Sequence, residues 1–219
     1  MTRLTPLATM AMVAALGVAA SAKADTLTFV GPICDTPGNV CANFSSILQT
    51  YGDVAGQLDV QYDSDISNPG VSPFRYWADQ YSGLFDVAFG EVGSTVEIYL
   101  QPLSGYRITL LGFDIGSYTG LPPTVDHESQ VTILGGDGSP ILSTGPTTIF
   151  GNAPTHFAPG LTRSDGFRIQ FGPDAFDVGI DNINFELTAV PEPSTWAMMI
   201  LGFGAAGSMI RRRRAAIAS

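Results

Sequence analysis

Short apolar runs separated by Gly, Pro, Asn and Asp make up most of residues 25–189. In the runs at 96–100 and 167–171, apolar and polar side chains alternate with a period of two. This period is typical of strands that bury one face, and no long stretch of the region has the spacing of an amphipathic helix. The pattern therefore predicts an all-β domain in which two sheets pack face to face as a β-sandwich.

Two of the runs indicate a central strand and a turn. Residues 106–115, YRITLLGFDI, form the longest apolar run, which favours a strand in the middle of a sheet. The GGDG at 135–138 lies between two apolar runs and is not followed by a helix, so we interpret it as a hairpin turn and not as a phosphate-binding loop. The other strands are predicted at 27–30, 58–62, 84–89, 96–100, 131–134, 147–150, 167–171 and 178–187.

The last of these runs, VGIDNINFEL at 178–187, changes its phase halfway. Apolar residues occupy even positions before Asp181 and odd positions after it, which indicates a β-bulge near Asp181 and Asn182. Bulges often re-aim side chains at functional sites, and Asp177, Asp181 and Asn182 would then offer oxygen ligands to Ca²⁺. The alternatives are that Asn184 replaces Asn182 as a ligand, or that the polar side chains at 181 and 182 only satisfy backbone groups at a kink.

The N-terminus has the pattern of a secretory signal peptide. Arg3 precedes an apolar stretch at 7–20, and the small residues of Ala-Lys-Ala at 22–24 follow it. Cleavage is expected after Ala24, with Ala22 as the alternative site. The pattern therefore predicts that residues 1–24 are removed and that the chain is exported through the general secretory route.

Export to an oxidising compartment favours a disulfide between the two cysteines, Cys34 and Cys41. Pro37 and Gly38 between them are a turn signal that brings the sulfur atoms together. A zinc site would need more ligands than two cysteines, and neither histidine is near them in sequence. The disulfide closes a loop of eight residues and is expected to stabilise the fold by roughly 2 to 3 kcal/mol.

The C-terminus combines an apolar run with a basic cluster. Residues 196–210 carry no charge, and Arg211, Arg212, Arg213 and Arg214 follow them. As a helix this run would reach about 22 Å, whereas a bilayer core is about 30 Å thick. It is therefore expected to be a short transmembrane helix that spans only where the bilayer thins or the arginines snorkel. The arginines would stay in the cytoplasm and everything before residue 190 outside. A buried core helix is the alternative, but the run has no polar face.

The same segment carries a family resemblance. Pro191, Glu192 and Pro193 are followed after two residues by Trp196 and Ala197, then by the glycine-rich apolar run and the arginines. This order resembles the PEP-CTERM sorting signal in its PEPxxWA variant. The resemblance covers residues 190–219. It implies an envelope protein of a Gram-negative bacterium that makes exopolysaccharide, with an exosortase of the inner membrane as the partner that processes the tail near Pro-Glu-Pro. The mature protein would reach the cell surface or the extracellular matrix.

The domain at 25–189 has a resemblance of its own. GYRITLLGFDI at 105–115, GFRIQFGP at 166–173 and VGIDNINFEL at 178–187 resemble strands of galactose-binding-like jelly rolls. The resemblance implies a jelly-roll-like sandwich. Because such scaffolds carry sugar-binding modules, adhesins and structural domains alike, it does not choose among these functions.

Residues 64–83 contain the candidate binding loop. Arg75, Tyr76, Trp77 and Tyr81 combine flat apolar faces with hydrogen-bonding tips, which is what a pyranose ring requires of a protein. The alternative is that Trp77, the only tryptophan of the domain, fills a gap in the core.

Charge excludes several classes of partner. The predicted domain contains four arginines, no lysine and nineteen acidic residues, which gives a formal charge of -15. Such a surface repels nucleic acid and anionic membranes, so no nucleic-acid partner is expected. It suits a calcium-rich exterior or a neutral ligand.

Catalytic motifs are absent from the sequence. The two histidines, His127 and His156, stand apart, and neither a nucleophile elbow nor a zinc-protease motif occurs. Paired carboxylates of a glycoside hydrolase stay an alternative, because their separation in space is not encoded in spacing along the chain. We therefore expect no enzyme and no cofactor apart from a structural Ca²⁺. Two functions are left: a sorted structural or adhesive protein associated with exopolysaccharide, and a lectin-like carbohydrate-binding module.

Overall fold

The computed structural model describes residues 23–68, 73–120, 125–190 and 193–217. The predicted signal peptide up to residue 22, and Pro191 and Glu192 of the tail, lie outside the described residues. The strands are β1 Lys23–Leu27, β2 Leu58–Asp63, β3 Arg75–Trp77, β4 Val87–Phe89, β5 Val96–Pro102, β6 Tyr106–Ser117, β7 His127–Gly135, β8 Pro140–Ile149, β9 Thr155–Phe157, β10 Leu161–Arg163, β11 Phe167–Gly172 and β12 Val178–Ala189. A 3₁₀ turn at Pro37–Asn39 and helix α1 at Pro193–Ile217 complete the described elements.

The strands form two antiparallel sheets. In the larger sheet, the long strands β6 and β12 pair side by side. β4 and β1 share the free side of β12, β9 and β10 share the free side of β6, and β3 extends the sheet beyond β4. The second sheet has the order β2-β5-β11-β7-β8. The predicted all-β sandwich is therefore confirmed, with the run at 106–115 in the centre of a sheet as expected.

The core lies between the two sheets and is built from the apolar positions of the period-two pattern. Its side chains are completely shielded from solvent and are large, so each contributes about 1.5 to 3 kcal/mol on burial. Representative members are Ile98 and Leu100 of β5, Ile169 and Phe171 of β11, Leu110 of β6 and Phe185 of β12.

Two local predictions are confirmed. Residues 135–138 form the hairpin turn between β7 and β8, in which the Gly135 amide donates to the Ser139 carbonyl at 2.8 Å. Cys34 and Cys41 form a disulfide.

The short strands differ from prediction. β3, β9 and β10 have three residues each, which is too few for a period of two to be visible. The strand expected at 27–30 was wrong in position, because β1 occupies Lys23–Leu27 and Phe29 has a positive φ of 50°. Lys23 and Ala24, which the predicted domain boundary assigns to the signal peptide, pair with Leu187 and Glu186 of β12.

Strand pairing fixes the two ends of the sandwich. Lys23 pairs with Leu187 and Ala189 pairs with Tyr106, so the beginning of β1 and the end of β12 lie together. We call this the proximal end. The connections β4–β5 and β11–β12, at 90–95 and 173–177, lie at the opposite, distal end.

Helix α1 covers the predicted apolar run but extends beyond it on both sides. Apolar side chains such as Met198 and Phe203 are exposed, at 70% and 64%. Among the described residues, no helix has both the length and the apolar character that crossing a membrane requires. The predicted helix at 196–210 is therefore present, and its role as a transmembrane span is not confirmed.

Candidate functional site

The predicted aromatic loop does not form an exposed platform. Tyr76 and Tyr81 are 8% and 2% exposed. The Tyr76 hydroxyl donates to Asp86, and the Tyr81 hydroxyl donates to the Phe176 carbonyl at 2.7 Å. Burial, reinforced by the Asp86 carboxylate, raises the pKa of Tyr76 to about 12. These two rings therefore serve the fold and do not offer a face to a ligand.

Trp77 is half-buried within an aromatic cluster. Its ring meets Phe44, Tyr118 and Phe89 edge to face, with centroid distances of 4.8, 5.5 and 6.2 Å. Its Nε1 is buried without a hydrogen-bond partner in the described part of the chain. Edge-to-face contacts of this kind stabilise packing, so the structure supports the gap-filling alternative for Trp77.

Close backbone approach explains why this loop lies flat on the sheet. A Cβ at Gly116 would lie 2.5 Å from the Tyr81 carbonyl oxygen, and one at Gly179 would lie 3.0 Å from Cδ1 of the Tyr81 ring. Only glycine leaves room for the loop at these two positions. The loop itself turns through residues with positive φ, namely Gln80, Ser82 and Gly83.

The fourth predicted binding residue, Arg75, lies on strand β3 at the edge of the larger sheet. Its Nε donates to Oε1 of Glu91 at 2.8 Å. Arg75 is therefore engaged in an ion pair with the β4–β5 connection.

The predicted β-bulge is confirmed. Asp181 pairs with Asp114, but the next pair is Asn184 with Gly112, and Asn182 between them has a φ of 52°. The Asn182 side-chain amide donates to Oδ2 of Asp114 at 2.9 Å. Nδ1 of His156 lies 2.7 Å from the other oxygen of Asp114. The bulge therefore places Asp181 beside an anchored carboxylate.

Asp181 itself is 5% exposed, and its Oδ1 has no hydrogen-bond partner among the described residues. Burial raises the pKa of this carboxyl to about 7, and the nearby carboxylates of Asp114 and Asp86 add to the effect. Asp181 therefore holds its proton over most of the acidic range.

The three predicted calcium ligands have different surroundings. Asp177 lies 3.9 Å from Nε2 of His127, and burial raises its pKa, with a further contribution from Asp174. Asp181 has Asp114 and Asp86 as its charged neighbours, and the Asn182 amide is directed at Asp114. Within residues 23–68, 73–120, 125–190 and 193–217, no group of three or more His, Cys, Asp or Glu side chains is arranged to hold a metal ion. Calcium binding by Asp177, Asp181 and Asn182 therefore stays a prediction.

A groove of about 320 Å³ lies on the outer face of the five-stranded sheet. Polar side chains from three neighbouring strands line it, together with one from the loop before β2. They are Gln49, Gln61, Tyr62, Asp63, Glu97, Tyr99 and Arg168. The polar positions of the period-two pattern show which side chains of these strands face outward. They do not show that β2 pairs with β5 and β5 with β11, so the groove could not be found from the sequence.

The floor of the groove is held by a hydrogen-bonded network. Glu97 accepts from Arg168 Nη1 through one oxygen and from Gln170 Nε2 at 2.8 Å through the other. The Arg168 guanidinium lies over the Tyr99 ring, 3.9 Å from its centroid. The Tyr99 hydroxyl in turn donates to the Asp165 carbonyl at 3.0 Å. These contacts fix the side chains before any ligand arrives.

The edge of the groove at β2 is closed by the preceding loop. The Val60 amide donates to Asp53 Oδ1 at 2.8 Å, and the Tyr62 amide donates to Gln49 Oε1 at 3.2 Å. The Leu58 amide donates to the Val54 carbonyl at 3.0 Å. Because these side chains and this backbone turn occupy the free edge, another strand cannot add to it there.

The C-terminal tail begins where the sandwich ends. β12 is paired through Ala189, and the Val190 amide donates to the Gly105 carbonyl at 2.7 Å. The core contains no described side chain from α1. The fold is therefore complete at Val190.

Comparison with known proteins identifies the tail. The PEP-CTERM protein-sorting motif matches residues 189–214. No curated protein matches the chain. Among solved structures, this chain is similar to the GH26-CBM35 β-(1,4)-mannanase of Podospora anserina, with 16% identity and a TM-score of 0.30, over 63% of this chain and 29% of that one. The chain thus spans less than a third of the length of that structure.

Proposed function

We propose that this is a non-enzymatic envelope or matrix protein, exported and then sorted by an exosortase through its C-terminal signal. The observation that carries the proposal is the position of the PEP-CTERM motif, which starts at residue 189, the last residue of β12. The motif implies an exported protein that is held at the membrane before its tail is processed. Processing near residues 191–193 would leave both sheets intact.

Orientation follows from the termini. Lys23 and Val190 both belong to the proximal end, so signal peptide and tail leave the domain on the same side. A domain held by either segment would direct its proximal end at the inner membrane and its distal end outward. The mature protein would carry the sandwich to the cell surface or matrix, where exopolysaccharide is its expected surrounding.

Local geometry supports a non-enzymatic role. Ser117, His127 and Asp177 form a row that resembles a hydrolytic triad, with 3.0 Å between Ser117 Oγ and His127 Nδ1. Ser117 is completely buried, and its hydroxyl donates to the Val125 carbonyl at 2.7 Å. A hydroxyl has one proton, and with that proton on the Val125 carbonyl the Ser117 oxygen accepts from a protonated His127 Nδ1. Ser117, His127 and Asp177 therefore connect the chain segments at the distal end of the sandwich.

Sorting is tested by changing the motif in the native host. Replacing Pro191, Glu192 and Pro193 together by alanine is expected to remove recognition, because these residues define the motif. The altered protein should then accumulate in the inner-membrane fraction, whereas a Ser194→Ala control should reach the surface as the wild type does. Equal surface levels of all three proteins, measured by fractionation and immunoblotting, would refute the proposal.

A second candidate function is carbohydrate binding. The polar groove on the five-stranded sheet favours it, since a concave site with several placed polar groups is what small ligands require. In this candidate function the ligand contacts the groove, and not the aromatic loop around Trp77 that the sequence predicted.

A further inference from the structure

We propose that the groove on the outer face of β2, β5 and β11 binds a segment of an uncharged glycan chain. This inference deepens the second candidate function above and rests on it. The groove volume, about 320 Å³, falls at the lower end of the range of small-ligand sites. A short stretch of sugar rings is therefore the expected occupant.

Unused hydrogen-bonding atoms in the groove match the chemistry of a sugar. Gln49 Oε1 accepts from the Tyr62 amide, which leaves Gln49 Nε2 as a donor without a partner in the described segments. Gln61 Oε1 and Asp63 Oδ2 are acceptors for which no described residue supplies a donor. A hydroxyl group both donates and accepts, so neighbouring hydroxyls of a pyranose can satisfy donor and acceptor sites together.

The side chains of the groove are already ordered, so binding a ligand costs little conformational entropy. Glu97 is held by two donors, and Arg168 is fixed between Glu97 and the Tyr99 ring. Gln61 Nε2 donates to Asp59 Oδ2 at 2.7 Å, which orients the Gln61 amide. Side chains that are already ordered lose little rotamer freedom when a ligand binds.

Charge and shape disfavour the other classes of ligand. Asp63 and Glu97 outnumber Arg168, and the domain as a whole is strongly acidic, so a polyanionic polysaccharide or nucleic acid is repelled. An extended peptide has no free edge to join at β2, because Gln49 and Asp53 occupy it. A purely apolar ligand would leave the polar lining unsatisfied.

The location of the groove suits a protein held by its tail. Asp63, the last residue of β2, pairs with Glu97 near the start of β5, and both lie toward the distal end. The tail leaves from the proximal end, after Val190. The groove therefore stays accessible to polysaccharide before and after processing.

Affinity electrophoresis tests this site with protein purified from the surface of the native host. The probes are dextran, galactomannan, hydroxyethylcellulose and the uncharged fraction of the host's exopolysaccharide, with polygalacturonate as the anionic comparison. The wild type should be retarded by at least one uncharged polymer and not by polygalacturonate. Gln61→Ala and Asp63→Asn should each weaken binding about three- to tenfold, the effect of one lost hydrogen bond.

The matched control is Gln130→Ala, because Gln130 is an exposed glutamine of β7 on the same sheet and outside the groove. It should bind as the wild type does, and equal melting temperatures should show that all variants fold. If both groove variants bind as strongly as the wild type, the groove is not the binding site, although carbohydrate binding as a function is retained. Absence of binding to every uncharged polymer would overturn both, and the sorting proposal is decided separately by fractionation.

Discussion

The ionised form of Asp181 destabilises the fold. Its side chain is buried at the bulge of β12, and its charged neighbours Asp114 and Asp86 are also carboxylates. The folded chain therefore prefers the protonated form, with a pKa of about 7, whereas an unfolded chain would ionise near 3.9. The proton on Asp181 contributes to stability at low pH.

This contribution depends on pH in a defined direction. Because the pKa is raised in the folded state, the stabilisation is fully present below about pH 4, falls as pH rises, and is lost above about pH 7. Asp181→Asn keeps the shape without the charge. Its free energy of unfolding should match that of the wild type near pH 4 and exceed it by up to about 4 kcal/mol at pH 8. Urea denaturation across this range measures the difference, with Asp79→Asn, an exposed position, as control. A difference independent of pH would contradict the assignment.

The structural role of some residues could be predicted from the sequence, and that of others could not. The phase change at Asp181 was visible because apolar residues mark the buried face on both sides of it. The burial of Tyr76 and Tyr81 was not visible, because β3 has only three residues and the loop after it has no period of its own. Only the glycines at 116 and 179 hinted that backbone passes close to the sheet there.

At the level of elements, five of the longer strands show their apolar pattern in the sequence. β2, β5, β6, β11 and β12 all begin where the sequence predicts, and each extends by one or more residues at its end. β7 and β8 are longer than expected, because their outer positions are polar and carry no apolar signal. The pairing between strands was not predictable, and neither was the groove that it forms. The alternation of apolar and polar residues shows which face of a strand is buried, but not which strand pairs with it.

The end of β12 marks a sharp boundary in stability. A chain from Lys23 to Val190 should have the same free energy of unfolding as the chain with its tail, within about 0.5 kcal/mol, since no described tail residue is in the core. A chain that stops at Phe185 should lose about 2 to 5 kcal/mol, because it lacks Leu187, a residue 3% exposed, and the pairing of the strand end. Chemical denaturation compares the three. Destabilisation of the chain ending at Val190 would mean that α1 packs against the domain.

For the whole molecule, composition and pattern together predicted the architecture. The strand-rich middle and the sorting tail are separate in sequence and meet at residue 189 in the structure. The adjacency of the two ends of the domain was not predictable, because it depends on β1 pairing with β12 across most of the chain length. Under the proposed function, that adjacency places the proximal end toward the membrane and the groove toward the opposite, distal end.

The proposed function requires that the tail is a sorting signal and is removed on the way to the surface. Intact mass of the protein isolated from the surface of its native host tests it most directly. We expect a chain that lacks residues 211–214 and ends near residues 190–193, with or without an added group. A surface protein whose mass includes Ser219 and all four arginines would contradict it.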